Sequence, residues 1–592
     1  MDTACGMKKR FLALCWLVVM GLVLLHSSSV EAYELHKSQV GYHSQGAKIL
    51  YIEDWVDEKP PVVSFYDPTY PRSWFMLQGK TLLKQPAVPV LSSLPSTSSG
   101  PKKPLWKVDF SSLNRSAEYE LRINGEPTGE HITVNDYVFW DLVQPSLQSF
   151  YLHRSGVKIS SDVLDVDRAP AHIRDAYWTD VSDGETYRKD VTGGWYAGGL
   201  NYQKNTTKTA VALSYLLSAY LNDPVSFKTL KMKYPYFEYG LGELQDALHE
   251  MKFGLDWLMA MQHRDGWLYH QVDGKELIPW KTRPHEDVQT RYLTEHYRVD
   301  DAMVAATMAM ASRVYAQQDV GYSVKCLLSA RRAWNAFSST LKNKSVTDNE
   351  RPYMALAQME LFLTTGEASF LEGLGSQIPK IRWSRLNVQA PTLLGVFHML
   401  NGKTSLKSPL PKGLSRQLQN ALLPLGPTWL GSLKNRLAHY PLEHPGVYQS
   451  TGVNPALLYR MAQILMTHQL SPLEGSAQSL SEAMYYILGV NRFDKSFITG
   501  AGYDAVKQPA HVLSSGYSKP VPGMLVRGPY MHSGETRWSD GIRRRRGVIY
   551  LDDERDQRGN YTDIVQNALT VFVLSELNHT LANGGQSPSI PK

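Results

Sequence analysis

Short β-prone runs, separated by Pro, Gly, Ser or Asn, occupy the chain between residues 33 and 138. Such spacing predicts short strands joined by turns, as in a β-sandwich. A Pro- and Ser-rich segment, residues 84–104, interrupts these runs and is predicted to be a long exposed loop. The predicted strands are residues 49–52, 61–66, 106–110, 119–123 and 131–134.

From residue 139 onward the apolar positions follow helical spacing, which begins with Leu142, Leu147, Phe150 and Tyr151. Gly, Pro and Asn separate the later helical segments. The chain is therefore predicted to be mainly α, with a helical domain over residues 139–585 behind a small all-β domain over residues 33–138. The later predicted helices are residues 210–221, 243–262, 300–317, 354–365, 457–468 and 480–488.

The first 32 residues have the pattern of a secretory signal. Lys8, Lys9 and Arg10 precede an apolar stretch over residues 11–25, and the small residues around Ala32 fit a cleavage site. A membrane anchor is the alternative, but this stretch is shorter than the roughly 20 residues that span a bilayer. We expect a secreted or periplasmic protein with no stable membrane span after signal cleavage.

Net charge and cysteine content argue against a nucleic-acid-binding protein, a disulfide-stabilised protein and a cysteine–histidine metal protein. The net charge of +6 falls to +5 without the first 32 residues, which contain three basic and two acidic residues. So small an excess does not suggest a nucleic-acid partner. Beyond the leader only Cys326 remains, so neither an internal disulfide nor a cysteine–histidine metal site is expected. We expect no metal and no cofactor.

Several segments of the helical region, in order along the chain, resemble glycoside hydrolase family 9. Residues 190–195 (DVTGGW) are similar to the family's DVSGGW, and residues 248–262 to its DEARWGLEWLLKMQ helix. Residues 38–42 (SQVGY) resemble the first strand of the immunoglobulin-like domain that precedes many family 9 catalytic domains. The resemblance implies a six-hairpin α/α barrel behind an immunoglobulin-like sandwich. Segments similar to ELYLATGE, YLLGRN…SFVTG and GLLVGGP are residues 361–367, 486–500 and 523–529.

The resemblance also implies a reaction, hydrolysis of β-linked polysaccharides. Inverting hydrolysis needs a protonated carboxyl and a carboxylate roughly 6.5–9.5 Å apart. In the family, aspartates after the tryptophan activate water, and a C-terminal glutamate is the acid. Here residues 196–200 (YAGGL) contain no carboxylate, and Tyr561 stands at the position of the acid. A phenol, with a pKa of about 10, is a poor proton donor beside a tuned carboxyl.

A few residues of these motifs remain as candidates for the site. Asp190 and Asp556 match family positions and are catalytic candidates, although loop hydrogen bonds are the alternative role. Trp195, Tyr196 and His511 are candidate sugar contacts, with packing as the alternative. His511 is what this chain keeps of the family's substrate-binding PxHxHHR stretch.

Arginines are concentrated in one segment near the C-terminus: Arg527, Arg537 and residues 543–546 (RRRR). The resemblance to family 9 implies that this segment borders the cleft. Guanidinium groups bind carboxylate and sulfate in a bidentate manner, so arginines there would favour an anionic glycan as ligand, with Arg527 as a binding residue. A solvated basic loop is the alternative.

Three hypotheses for the function follow. The chain is a polysaccharide hydrolase with remodelled catalytic residues, or it binds polysaccharide or oligosaccharide without cleaving it. The third hypothesis is a lyase that acts on uronates, with Tyr561 or His511 as the base.

Overall fold

The computed structural model describes residues 33–584, with gaps. The predicted signal segment lies outside the described residues. Among the residues described, no helix combines the length and apolar character needed to cross a membrane. The gaps are residues 58, 74, 75, 78, 91–104, 163, 180–183, 200, 235–243, 403–406, 447–448, 535, 538–542 and 545–546.

The first described part of the chain is rich in strands, which form two main sheets. One sheet has the order β1-β3-β9-β8 and the other the order β2-β11-β10-β4-β7. Their buried side chains include Leu50, Phe65 and Tyr119. The strands are β1 (Glu34–His36), β2 (Tyr42–His43), β3 (Ile49–Glu53), β4 (Val62–Asp67), β5 (Pro71–Ser73), β6 (Met76–Leu77), β7 (Lys80–Pro86), β8 (Val88–Val90), β9 (Leu105–Asp109), β10 (Ala117–Ile123) and β11 (Glu126–Asn135).

All five predicted strands are confirmed, as β3, β4, β9, β10 and β11. The predicted loop of residues 84–104 is wrong at its start. Residues 84–86 complete β7, which pairs with β4, and β8 pairs with β9. Pro86 and Pro89 are tolerated there because β7 and β8 are the edge strands of their sheets. The immunoglobulin-like assignment of this region and its boundary at residue 138 remain predictions.

Helices dominate the rest of the chain, and all six of the predicted later segments are confirmed as α2, α4, α5, α7, α12 and α13. Short strands occur between them. The helices are α1 (Trp140–His153), α2 (Thr206–Asn222), α3 (Pro224–Thr229), α4 (Asp246–Ala260), α5 (Arg298–Tyr315), α6 (Val320–Thr340), α7 (Arg351–Thr365), α8 (Leu374–Gln377), α9 (Thr392–Leu400), α10 (Lys412–Leu422), α11 (Leu425–His439), α12 (Asn454–Leu470), α13 (Ser476–Ile487), α14 (Val512–Tyr517) and α15 (Ile564–Ala582). The strands are β12 (Ile159–Ser161), β13 (Val166–Arg168), β14 (Tyr177–Thr179), β15 (Thr186–Arg188), β16 (Lys204–Asn205), β17 (Gln271–Gly274), β18 (Arg291–Leu293), β19 (Tyr530–His532), β20 (Thr536–Arg537), β21 (Arg543–Arg544) and β22 (Gly547–Ile549).

Within the described chain, helices α2, α5, α7, α9, α12 and α15 form a closed ring, each packed against the next. Their side chains are buried on almost every side, because α1, α4, α6, α11 and α13 pack outside the ring. This architecture is the predicted α/α barrel, behind a strand-rich N-terminal region.

The N-terminal ends of the ring helices meet at one end of the barrel. In α2 and α5, Thr207 hydrogen-bonds to Asp300, and Arg298 of α5 pairs with Glu350 before α7 at 3.3 Å. Lys208 of α2 pairs with Asp563, the residue before α15, at 3.3 Å. We call this end the N-terminal face of the barrel.

The strand-rich region is attached to the barrel partly through His36. Its Nδ1 lies 2.6 Å from Asp494, in the turn after α13, and its Nε2 lies 3.2 Å from Glu53. Burial opposes protonation of the ring, but the hydrogen bonds and charges of the two carboxylates outweigh it and raise the pKa of His36 to about 9. The imidazolium therefore links the two regions at neutral pH.

Because the pKa of His36 is higher in the folded state than the ordinary value of 6.5, its stabilisation is complete below pH 6.5 and is lost as pH rises through about 9. We expect the free energy of unfolding of the wild type to fall more steeply between pH 7 and pH 10 than that of His36→Gln. Urea unfolding of both proteins across this range measures the difference. Parallel pH profiles would contradict the linkage.

Candidate active site

Three loops meet on the N-terminal face, and their backbones are joined by hydrogen bonds. Residues 190–199 form the first loop, residues 509–512 the second and residues 552–563 the third. Gly198 bridges to Asp563, and Ala510 bridges to Tyr561. A Cβ on Gly198, which has φ of +104°, would lie 2.7 Å from the Cα of Asp563, so glycine is needed for this close approach. The three segments that resemble the family's catalytic motifs are thus brought together.

The first loop is supported by a buried ion-pair network. Lys204 Nζ donates to the carbonyl oxygens of Val191 (3.1 Å) and Gly193 (2.7 Å) and lies 2.7 Å from Asp175. Arg291 also pairs with Asp175, at 2.9 Å. These charges hold the loop backbone in place rather than face a ligand.

Tyr561 lies at the centre of a polar group that we call the Tyr561 cluster, consisting of Lys208, Arg527, Tyr561 and Asp563. Lys208 Nζ donates to the phenol oxygen at 3.1 Å, and the phenol donates to Asp563 Oδ2 at 3.3 Å. The Arg527 guanidinium stacks 4.1 Å above the centre of the Tyr561 ring. Lys208, Arg527 and Tyr561 are each partly exposed, so the cluster is accessible from solvent.

Burial and the Asp563 carboxylate keep the phenol of Tyr561 protonated. Burial and the charge of Asp563 raise the pKa of Tyr561, and the opposing effects of Lys208 and Arg527 do not cancel this. Burial would lower the pKa of Lys208, but Asp563 and Tyr561 outweigh it and raise that pKa. At neutral pH the cluster therefore has a neutral phenol, two cations and one carboxylate. Neither the phenol nor the ammonium is a good acid at that pH.

Three carboxylates of the first and third loops accept hydrogen bonds from neighbouring protein groups. Asp190 is exposed and accepts from Thr192 N at 3.1 Å, a hydrogen bond that lowers its pKa. This local orientation fits the alternative considered for Asp190, hydrogen bonding within its own loop. Asp556 is fully buried and accepts from the hydroxyl of Tyr530. Asp563 caps α15 by accepting from Val565 N and Gln566 N. The expected catalytic roles of Asp190 and Asp556 gain no support from these contacts.

The candidate sugar contacts Trp195 and Tyr196 have no exposed surface. The indole N–H of Trp195 donates to Glu250 Oε1 at 2.9 Å, and the phenol oxygen of Tyr196 lies 2.7 Å from His172 Nδ1. A side chain without accessible surface cannot stack on a sugar in this conformation. The geometry therefore fits packing, the other role considered for these residues.

His511 is also fully buried, beside His153. His153 Nδ1 lies 2.6 Å from the carbonyl oxygen of Ser149 and must carry the proton, because a carbonyl only accepts. Its Nε2 therefore accepts from His511 Nε2, 3.1 Å away. Burial lowers the pKa of both rings, that of His153 to about 4. His511 thus contributes to packing here, and burial does not suit it as a sugar contact or as a lyase base.

A second polar group on the same face links α2 to α5. The Nδ1 of His270 lies 2.9 Å from Asp300, and its Nε2 lies 3.2 Å from the side-chain amide of Asn205. Asp300 is fully buried, whereas about a quarter of the His270 side chain is exposed. Both ring nitrogens of His270 are already engaged within the protein, so a ligand at the barrel end would meet the exposed part of the ring rather than a free nitrogen.

Residues that sequence reasoning missed are Lys208, Asp563 and His270. Asp563 could have been found, since an Asp directly before an apolar run is a helix N-cap signal. The predicted arginine cluster is described only at Arg527, because the side chains of Arg537 and residues 543–546 lie outside the described part. Asp180 and Asp183, which precede the first loop, also lie outside it.

Outside this site, Glu34, His36 and Glu53 can each direct one ligand atom to within 4.8 Å of the others. Both ring nitrogens of His36 already face carboxylates, and the ring is protonated at neutral pH. A metal ion would have to displace that proton. These residues therefore fit the ion pairs better than a metal site.

Comparison with known proteins identifies the family. The sequence profile of glycosyl hydrolase family 9 matches residues 139–574, which is well over half of the chain. This protein belongs to glycosyl hydrolase family 9. The match begins one residue before α1 and includes all three loops of the site.

The relatives share low sequence identity with this chain, but the alignments cover most of its length. Endoglucanase D of Acetivibrio thermocellus is 23% identical over 461 residues, covering 74% of this chain and 71% of its own length. A xyloglucan-specific endo-β-1,4-glucanase of Bacteroides ovatus is 24% identical over 504 residues, covering 80% of this chain and 84% of its own length. The crystal structure of a metagenome-derived family 9 endoglucanase superimposes with a TM-score of 0.76 at 25% identity, covering 92% of this chain and 99% of that chain.

Proposed function

We propose that this family 9 protein is exported and binds a polysaccharide or oligosaccharide without hydrolysing it. The observation that carries the proposal is the Tyr561 cluster. At the position that corresponds by resemblance to the family's acid, a neutral phenol is held between Lys208 and Asp563. Export is supported by the basic and apolar pattern of residues 8–25.

Binding is supported by the arrangement of loops at the N-terminal face of the barrel. The three loops that correspond to the family's catalytic motifs still meet there, and Lys208, Arg527 and His270 are partly exposed. Hydroxyl-rich ligands need such donors and acceptors on a preformed surface. Turnover is disfavoured because residues 196–200 contain no carboxylate and Tyr561 stands where the family, by resemblance, has its acid.

A glycan array followed by product analysis on each bound glycan tests the proposal. We expect at least one polysaccharide or oligosaccharide to bind, with no increase in reducing ends after prolonged incubation with the wild-type protein. Release of saturated reducing ends would restore the hydrolase hypothesis. If no glycan is bound at all, the proposal fails.

One observation favours the lyase as a second candidate. Two cations, Lys208 and Arg527, flank the phenol of Tyr561, and a uronate lyase needs cations near the carboxylate and a base near the adjacent carbon. The raised pKa of Tyr561 leaves little phenolate to act as the base at neutral pH, which weighs against this candidate. Unsaturated uronate products in the same assay would establish the lyase and refute binding without cleavage.

A further inference from the structure

A basic groove lies on the outer part of the N-terminal face, apart from the Tyr561 cluster. It is formed by the residues just before α7, the first turn of α7 and residues 380–390 before α9, and its volume is about 490 Å³. Three cationic side chains line it, those of Lys380, Arg382 and Arg385. We call this the basic groove.

The three cations of the basic groove are exposed and uncompensated. None of their side chains forms an ion pair or hydrogen bond with a residue that the structure describes. The one acidic residue among the groove's lining, Asp348, already pairs with Arg351 at 3.1 Å. Clustered cations without partners create a positive potential that attracts anionic ligands.

The wall of the basic groove is anchored to the inner ring. The carbonyl oxygen of Val388 accepts from the hydroxyl of Tyr215 in α2 at 3.0 Å, and that of Gln389 accepts from Tyr353 in α7, also at 3.0 Å. Tyr215 lies seven residues after Lys208 in the same helix, about 10 Å along its axis. The wall of the groove is thus held in part by α2, the helix that also carries Lys208 of the Tyr561 cluster.

The Tyr561 cluster has the same sign of charge as the groove. Lys208 and Arg527 provide two cations, and Asp563 provides one carboxylate. A ligand that reaches from the groove to the cluster would therefore meet positive potential at both ends. Neutral glucans gain nothing from this arrangement, whereas carboxylate or sulfate groups do, because arginine binds both in a bidentate manner.

We propose that the basic groove binds the acidic groups of an anionic polysaccharide, through Lys380, Arg382 and Arg385, and that the glycan chain extends toward the Tyr561 cluster. This inference rests on the proposed function, glycan binding, and specifies that the glycan is anionic. Asn349 and Gln389 also line the groove, and their amide groups suit the hydroxyls of a sugar rather than a bare polyanion.

The test compares the wild type with the triple variant Lys380→Ser, Arg382→Ser, Arg385→Ser. A matched control, Lys228→Ser, Lys231→Ser, Lys325→Ser, removes the same charge from exposed positions after the C-terminal end of α2 and near the start of α6. Dissociation constants are measured by calorimetry for oligogalacturonate, a sulfated galactan oligomer, a neutral cello-oligosaccharide and poly-L-glutamate, at low and high salt. The first two ligands distinguish carboxylate from sulfate.

We expect one of the two anionic oligosaccharides to bind most tightly, and its binding to weaken with salt. The groove variant should bind it about tenfold more weakly, which corresponds to about 1.4 kcal/mol, and with less salt dependence, while the control variant binds as the wild type does. Unchanged melting temperatures would show that both variants are folded, since exposed substitutions cost little stability.

Three outcomes would overturn this inference. Equal affinity of the groove variant and the wild type for the anionic oligosaccharides would show that the groove is not their site. Preference for the neutral oligosaccharide would leave glycan binding intact but refute the anionic ligand. Equal binding of poly-L-glutamate would show that the groove recognises charge alone. If no oligosaccharide of any kind is bound, the proposed function itself fails.

Discussion

Glu250→Ala is expected to lower the free energy of unfolding by about 3–5 kcal/mol, because it removes a fully buried carboxylate that pairs with the buried Arg154. Glu250 is fully buried and accepts from Arg154 Nη2 at 3.0 Å, from Trp195 Nε1 at 2.9 Å and from the hydroxyl of Tyr234 at 3.1 Å. One substitution therefore removes a hydrogen bond from each of three buried side chains. Equilibrium unfolding in urea, followed by circular dichroism, measures the change.

An exposed glutamate–arginine pair provides the control for this prediction. Glu367 pairs with Arg331 at the surface, where water screens the attraction. Glu367→Ala should therefore cost less than about 1 kcal/mol. If Glu250→Ala does not fold, Glu250→Gln keeps the size and one acceptor and removes only the charge. A cost for Glu250→Gln no larger than that of Glu367→Ala would refute the buried counter-ion role.

Periodicity of apolar residues located four of the six ring helices, α2, α5, α7 and α12, but it missed α9 and α15. The outer helices α6, α10 and α11 were missed as well. Helix α15 (Ile564–Ala582) is buried on nearly every side, so it has no polar stripe and no helical period to detect. Helix α5 was predictable because Asp300 and Asp301 mark its first turn. The edge strands β7 and β8 were missed because Pro and Ser dominate their surroundings, which is usual in loops.

The candidate site was predictable as a set of loops, but not in the orientation of its side chains. Motif similarity correctly brought residues 190–199, 509–512 and 552–563 together. It could not tell that Trp195 points into the core toward Glu250, since a glycine-rich loop has no period that separates an inner from an outer face. Lys208 is one turn into a helix and carries no motif, so its contact with Tyr561 was visible only in three dimensions.

Tyr561→Glu alone is expected to produce no measurable glycoside hydrolysis. A glutamate at this position would lie beside Lys208, whose ammonium now contacts the phenol oxygen at 3.1 Å. A cation at that distance favours the ionised carboxylate and lowers its pKa, so the new side chain would lack the proton that a general acid must donate. Release of reducing ends from cello-oligosaccharides and from an anionic glycan that the protein binds provides the measurement.

The Tyr561→Glu variant also lacks a general base. A substitution at residue 561 cannot supply one. Residue 197, where the family has an aspartate by resemblance, is a fully buried alanine. General acid and general base assistance each contribute about 10²–10⁴-fold, so restoring one group without the other leaves the rate far below that of a working glycosidase. Tyr561→Phe, which keeps the ring under Arg527 and removes only the hydroxyl, is the control for damage to the cluster. The contradicting result would be hydrolysis by Tyr561→Glu much faster than by Tyr561→Phe or the wild type. It would mean that residues 180–200 contain a general base and that a single substitution makes this protein a glycosidase.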